Sequence, residues 1–182
     1  MTTIMYQQLT KIKNHQSELT HLLKRCVDDG ASLGFLPQEP IEQIEQYWQR
    51  VNQDVEQQQT FLWIAIQDGR LIGTVQLVRA TKANARHRAE IEKLMVHPDA
   101  RQQGIAYKLL ELAEQQAKAL GLKLLILDTR SGDVSEKLYL KYGFQHVGVV
   151  PQFALSHTGE RNATSIFYKL VVETPNWGGL IG

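Results

Sequence analysis

Apolar residues along the chain recur with two periods, and the switches between them mark out the elements. Residues Ile4–Leu9 have the length and composition of a first strand. From Ser17 the apolar positions Leu19, Leu22, Leu23, Cys26 and Val27 fall at helical spacing, with Ser17 placed as an N-cap and Gly30 as a stop. Residues Ala31–Pro40 read as a loop. Pro40 stands where a second helix begins, and Ile41, Ile44, Trp48, Val51 and Val55 recur at three and four. After Thr60 the pattern shortens. Phe61–Ile66 is an apolar strand, Asp68-Gly69 a hairpin turn and Leu71–Val78 the return strand. Thr81–His87 is a polar, basic turn, and Glu90–Val96 is a further strand closed by His97-Pro98. Three consecutive antiparallel strands are expected.

The clearest helix runs from Gly104 to Leu120. Its apolar face is Ala106, Leu109, Leu110, Ala113, Ala117 and Leu120, and Gly121 ends it. Lys123–Leu127 has too few polar positions for a solvated face, so a central strand is expected. Asp133-Val134-Ser135-Glu136 has the acid-x-x-Glu form of a capping box and opens a short helix that Gly143 stops. Phe144–Val150 and Thr164–Val172 read as two last strands, separated by a loop holding Pro151 and Gly159. The order β-α-α-β-β-β-α-β-α-β-β describes a mixed α/β single domain over residues 1–172, followed by a loose tail over 173–182.

Composition narrows the classes. A chain of 182 residues buries roughly 70% of its unfolded surface, enough for a core to hold it without staples. The net charge of +1 argues against a surface-wide nucleic-acid or membrane footprint. One cysteine, Cys26, cannot form an internal disulfide, and the six histidines lack paired metal spacing, so no metal site is expected. The longest apolar run, Phe61–Ile66, is far too short for a membrane span, and Met1–Gln7 has no signal-peptide form. A cytoplasmic protein is expected. Arg79, Lys82, Arg86, His87 and Arg88 form a basic turn of the kind that is usually solvated.

The segment richest in chemistry is Leu94 to Ala106: a strand, a short loop with a glycine, and the long helix. A helix start offers free backbone N–H groups to an anion, and helices usually place Asp or Glu in that first turn. From Ala100 to Leu110 there is no acid, while Arg101 and Lys108 are basic. Gly104 allows a phosphate to approach the backbone, and Ala106 keeps the next step small. A tight strand–helix turn with a packing glycine is the plainer alternative. The segment is neither a nucleotide P-loop nor a Rossmann fingerprint, for want of Gly-Lys-Ser/Thr and of three spaced glycines.

The run Arg101-Gln102-Gln103-Gly104-Ile105-Ala106 resembles the Arg/Gln-x-x-Gly-x-Gly/Ala motif of the GNAT superfamily of N-acetyltransferases. Val96-His97-Pro98 and Leu138–Phe144 resemble its flanking pieces at the expected distances. Over nearly the whole chain, Gly30–Phe35, Ala89–Val96, Leu127-Asp128-Thr129 and Ala163–Lys169 look like the tabtoxin-resistance type of acetyltransferase, which acetylates a small amino-acid-like toxin. The resemblance implies a mostly antiparallel mixed sheet, flanked by helices, with a splayed parallel central pair. It also implies acetyl-CoA as co-substrate. The strand residues Leu94, Met95 and Val96 would pair with its pantetheine arm, and Arg101, Gln102, Gln103, Gly104, Ile105, Ala106 and Tyr107 form the loop that takes its pyrophosphate. Gln102 and Gln103 stand where many relatives carry Arg or Gly, and Ala106 where many carry Gly, which removes one source of positive charge.

Acetyl transfer needs a neutral amine, and an ammonium of pKa about 10.4 is neutral in roughly one molecule in a thousand at pH 7. A base must therefore act, and an acid should protonate the leaving thiolate. The resemblance implies Glu90 and Asp128 as the carboxylate pair and Tyr139 as the acid. Glu92 competes for the base role, since alternation puts it on the face of Glu90. Glu90 could instead balance Arg88, Asp128 could satisfy loop N–H groups or pair with Arg130, and Tyr142 is a weaker alternative to Tyr139. Cys26 lies on the apolar face of the first helix, which disfavours a covalent acetyl-cysteine and favours direct transfer. The acceptor pocket is expected from the Ala31–Pro37 loop, the hairpin side near Glu90 and the Pro151–Asn162 loop. The expected acceptor is a small-molecule amine, with a peptide acetyltransferase or a non-catalytic acetyl-CoA-binding module as alternatives. A monomer or homodimer is expected.

Overall fold

The computed structural model describes residues 3–171. Eleven main elements follow one another: β1 (Met5–Leu9), α1 (Gln16–Asp28), α2 (Ile41–Glu56), β2 (Thr60–Gln67), β3 (Arg70–Arg79), β4 (Arg88–Val96), α3 (Ile105–Ala119), β5 (Leu124–Arg130), α4 (Ser135–Tyr142), β6 (Gln145–Leu155) and β7 (Arg161–Leu170). Their order is the one that the hydrophobic pattern predicts. The strands form one seven-stranded sheet in the order β1-β2-β3-β4-β5-β7-β6. Every neighbouring pair is antiparallel except β4 and β5.

Both faces of β2 are buried, which is why it reads as an unbroken apolar run. Phe61, Trp63 and Ala65 pack with α3 in one cluster that also holds Ile105, Leu109 and Leu110. Leu62 and Ile64 pack on the other face against Leu19, Leu23, Ile44 and Trp48 from α1 and α2. Each such side chain, fully buried, contributes about 1.5–3 kcal/mol relative to exposure.

Several boundaries depart from the sequence expectation. A 3-10 turn over Lys13–His15 leads directly into α1, so Ser17 lies inside the helix, and His15 meets Glu18 at 2.8 Å across the first turn. Asp133 does cap α4: its Oδ1 accepts the Ser135 backbone N–H at 2.9 Å. β6 does not stop at Val150. It runs through Pro151 to Leu155, because a bulge between Val150 and Ala154, with Gln152 at φ 54°, absorbs the proline without ending the ladder. β7 starts at Arg161 rather than Thr164, and Val172 and the tail over 173–182 lie outside the described residues. β5 continues past Leu127 to Arg130, paired along its whole length with β7, so Asp128 sits within the strand opposite Ile166.

Gly73 of β3 is set by a contact rather than by its backbone. A Cβ there would lie 3.2 Å from a methyl carbon of Ile105, 3.3 Å from one of Leu109 and 3.3 Å from the Met95 carbonyl oxygen. The missing side chain is what lets the start of α3 sit against β3 and β4. Gly73→Ala should destabilise the fold by about 1–3 kcal/mol through this overlap. The denaturant midpoint would fall with an unchanged slope. A midpoint equal to that of the wild type would mean that α3 can back away freely.

Candidate active site

The site forms where β4 and β5 part. Their parallel ladder joins only Arg88–Glu90 to Leu124–Ile126. Beyond it β4 stays with β3, where Gly73 faces Val96 and Thr74 faces Met95, while β5 stays with β7. The register of β4 against β3 slips between Thr74 and Gln76, and Lys93 holds a left-handed φ of 47° there. Such a bulge bends and twists its strand. It also resets which residues face which way: Ala89 and Ile91 pack on the α3 side, but Met95 joins the α1/α2 cluster. Strict alternation from Ile91 would have sent Met95 to the α3 face.

Three carboxylates gather where the two strands begin to part. Glu90 is about half exposed and pairs with Arg88 at 3.3 Å, the balancing contact that its position suggested. Glu92 is more enclosed. Burial raises its pKa, Lys93 opposes the shift, and the charges of Glu90 and Asp128 add to it. Asp128 is held by the Thr164 hydroxyl, which lies 2.9 Å from Asp128 Oδ2 and 2.9 Å from the Thr129 carbonyl oxygen. Arg130 does not pair with Asp128; it donates to the Gly30 carbonyl at 2.9 Å and to Asp133 at 3.0 Å.

At the other end of β4 the chain turns through a 3-10 segment, Pro98–Ala100, into α3. Gln102 and Gly104 both take left-handed conformations, at φ 63° and 77°, which folds the loop over the helix start. No acidic residue occupies the first turn of α3. Nothing lies within 4 Å of where a Gly104 side chain would begin, so the backbone is open on that side. Gln102, Gln103 and Tyr107 are exposed and Ala106 is partly so. Ile105 is buried in the core and offers only its backbone. The Arg101 guanidinium is committed to Asp29 at 2.7 Å, tying this loop to the end of α1. Among strand residues, Leu94 and Val96 are partly buried against the α3 cluster, and Met95 is buried on the opposite face.

Tyr139 on α4 is 6% exposed and packs against Phe144 and Phe167, with ring centroids 6.0 and 5.9 Å away. Burial, then the charges of Asp133 and Asp128, raise its pKa, so the hydroxyl keeps its proton at neutral pH. Tyr142 is raised too, by burial and by its hydrogen bond to Glu114, which holds it at the α3 side. The Cys26 thiol is buried, 3.6 Å from the Val96 carbonyl oxygen, and pushed up to about 11 by burial. It is therefore a thiol, not a thiolate, at neutral pH.

A cavity of about 410 Å³ opens between the loop after α1 and the β6–β7 turn, lined by Gly34, Phe35, Arg130, Phe153, His157 and Asn162 among others. The Ala31–Pro37 loop and the Pro151–Asn162 segment line it, while the hairpin side near Glu90 does not. Three further residues stand between this cavity and the carboxylates. Tyr47 meets Phe35 edge-on at 5.6 Å, accepts a hydrogen bond from buried Gln76 at 2.8 Å, and lies under Lys93, whose Nζ is 5.1 Å from its ring centre. The hydrophobic pattern singles out neither Lys93 nor Gln76. Gln76 was the available signal, a polar residue inside an apolar strand. Among the described residues no group of three or more His, Cys, Asp or Glu side chains could hold a metal ion, and no helix is long and apolar enough to cross a membrane.

Residues 19–144 match the model of the acetyltransferase (GNAT) family. An uncharacterized N-acetyltransferase from the hisH-hisA intergenic region of Azospirillum brasilense is 29% identical over 133 residues, 71% of this chain and 77% of that protein. The acetyltransferase of GNAT family from Streptococcus pneumoniae superposes with a TM-score of 0.78 at 19% identity, covering 93% of this chain and 100% of that one. An acetyltransferase structure from Salmonella typhimurium, solved with its cofactor acetyl-CoA, superposes with a TM-score of 0.74 at 16% identity, covering 96% of each chain.

The raised pKa of Glu92 carries a stability consequence. The folded state binds the proton more tightly than the unfolded state, whose value is the ordinary 4.5. The fold is therefore penalised as pH rises from below 4.5 through the raised value, and the penalty is complete at neutral pH. Glu92→Gln removes the ionisation. The variant should be more stable than the wild type at neutral pH, and the gain should vanish below about pH 4. Urea midpoints across that range check it; a gain that does not change with pH would point to packing instead.

Proposed function

Because the chain belongs to the acetyltransferase (GNAT) family and is an acyltransferase, we propose that it moves an acetyl group from acetyl-CoA to the primary amine of a small molecule. The observation that carries this reading is the V-shaped gap between β4 and β5, with an acid-free helix start at one end and three carboxylates at the other. The chain fits the co-substrate. Leu94, Met95 and Val96 lie on the stretch of β4 that has left β5, and their backbone would hold the pantetheine arm. The loop Arg101, Gln102, Gln103, Gly104, Ile105, Ala106 and Tyr107 would take the pyrophosphate on its N–H groups. Arg101 would act there from its anchor on Asp29. When bound, acetyl-CoA supplies the activated acyl carbon and a thiolate leaving group.

The chain's own residues handle the protons. Glu90, Glu92 and Asp128 attract a cationic acceptor, and the charges of the other two favour proton uptake by Glu92. The raised Glu92 supports it as the group that takes the amine proton, directly or through a water; burial shifts it most, and Glu90 and Asp128 add to the shift. Tyr139, protonated at neutral pH, is the proposed donor to the leaving sulfur. A protonated, enclosed Cys26 supports direct attack by the amine over a covalent relay.

The acceptor is proposed to enter through the cavity beside Gly34 and Phe35, whose size suits a small molecule. An amino-acid-like toxin or antibiotic is the proposed kind of acceptor, and resistance the proposed role. The cytoplasm is the proposed compartment, with no nucleic-acid or membrane partner. A monomer or a homodimer is proposed; exposed Val147, Val149, Phe153 and Leu155 on the outer strand β6 are the face a second copy would use.

A thiol-release screen over small amines, amino-acid analogues and amine-bearing antibiotics tests the reading. Release of CoA with at least one amine is expected. Protection against heat by acetyl-CoA without release on any amine would leave a binding module. With an acceptor in hand, Glu92→Gln and Asp128→Asn should each lower kcat/KM at pH 7, and higher pH should recover part of the loss, because solvent then deprotonates the amine. Wild-type pH–rate profiles in both variants would remove these carboxylates from the base role.

Tyr139→Phe keeps the packed ring and deletes the hydroxyl. Its maximal rate should fall by roughly 10²–10⁴-fold while acetyl-CoA still binds. Wild-type turnover would sink the assignment.

A further inference from the structure

We propose that Lys93 anchors an anionic group of the acceptor, so that the preferred acceptor carries a carboxylate, or an anion like it, as well as the amine. This rests on the acetyl-transfer reading above and adds the acceptor's second recognition point.

The argument begins at the backbone. Lys93 sits at φ 47°, a conformation that side chains other than glycine, asparagine and aspartate seldom adopt. The slip in register brings Lys93 and Glu92, neighbours in sequence, to the same α2-facing side of the sheet, where strict alternation would send them apart. The Lys93 stem is thereby laid over Tyr47, with Nζ 5.1 Å from the ring centre. Nζ also lies 4.0 Å from where a Gly34 side chain would begin. Gly34 and Phe35 line the cavity, and Phe35 packs on Tyr47, so the ammonium lies next to this stretch of the cavity wall without itself lining the cavity.

That ammonium is not neutralised by contact. Among the described residues no carboxylate lies within ion-pair distance of it. Glu92 and Asp128 act on it only through space, and burial outweighs them, leaving its pKa below the ordinary 10.5. A partly enclosed cation without a paired anion is costly for a fold that could have placed a neutral residue there. The ring face of Tyr47 offsets part of that cost and fixes the direction of the side chain. What remains unmet is one negative group, and the cavity lined by Gly34 is the adjoining space from which it can arrive.

The neighbouring charges explain why the anion should travel with an amine. Glu90, Glu92 and Asp128 would repel a simple anion but hold an ammonium. Lys93 placed among them makes this patch of β4 and β5 bipolar, which matches a zwitterion better than a cation or an anion alone. Arg130 is not a second anchor of this kind, because Gly30 and Asp133 already take its donors.

The test compares amino acids of different chain length, from the α-amino acids to β-alanine and γ-aminobutyrate, with their carboxamides. Thiol release gives kcat/KM for each. For at least one pair the wild type should prefer the acid by 10-fold or more. Lys93→Met should lower that acid-to-amide ratio by roughly 10–100-fold, and Lys93→Arg should retain most of it. Circular dichroism and acetyl-CoA titration establish that each variant is folded and binds its co-substrate. Equal rates on acids and amides in the wild type, or an unchanged ratio in Lys93→Met, overturns the anchor and leaves the acetyltransferase reading standing. Absence of release with any amine overturns that reading, and the anchor with it.

Discussion

The structure depends on the separation of two parallel strands after three paired residues. A sheet interior normally satisfies every backbone N–H and C=O across its ladders, and leaving a stretch of central strand without a partner is costly. Here β4 leaves β5 after Glu90, and the two halves of the sheet diverge as β1–β4 and β5–β7–β6. The bulge at Lys93 supplies the bend, and unbroken pairing of β5 with β7 keeps the other strand from following. The gap offers main-chain groups at a fixed depth in a rigid sheet. A ligand that runs along it can complete the ladder, which ties the free energy of co-substrate binding to the cost of the opening.

The same bulge organises the electrostatics. One extra residue brings Glu92 and Lys93 to the same side, next to Asp128, and turns Met95 into the α1/α2 core. Buried Gln76 faces Glu92 across the ladder and orients Tyr47, which in turn supports Lys93. On the β5 side, Thr164 holds Asp128. Lys93 and Asp128 therefore each have their direction fixed by a neighbour on a different strand or helix. Sites built in this way are held more tightly than loop sites, because the side chains cannot move without unpacking the sheet.

The order of elements was legible because each carries its own local signal: period 3.6 in α1, α2 and α3, a two-residue turn at Asp68-Gly69, and glycines after α1, α3 and α4. The acid-free start of α3 was legible for the same reason, since a missing charge in a first turn is a local fact. What the chain did not reveal locally came from cross-strand partners. Pro151 looked like a loop because a proline lacks a donor, yet it rides in a bulge of an outer strand, where that donor is not required. Asp128 looked like a strand end because Leu127 closes the apolar run, but β7 pairs on to Arg130. Glu90 has its local partner Arg88, as the chain suggests, whereas the burial that sets Glu92 apart comes from tertiary packing.

Polar residues inside an otherwise apolar face show what the fold gives up for the site. Thr74 and Gln76 are buried on β3, and each is satisfied, Thr74 by the Trp63 carbonyl at 2.7 Å and Gln76 by Tyr47. Two apolar residues of like volume would pack there with no hydrogen bonds to satisfy, and would remove the support under Tyr47. Glu92 and Lys93 extend the same logic to charge, since burial disfavours the ionised form of both. These penalties fall on one patch of one face, while the opposite face of the same strands packs against α3 without them. Stability is thus drawn from the α3 side and from the α1–α2 pair. The strip of β3 and β4 between them is left polar and strained, as a surface must be if it is to hold a charged molecule and move its proton.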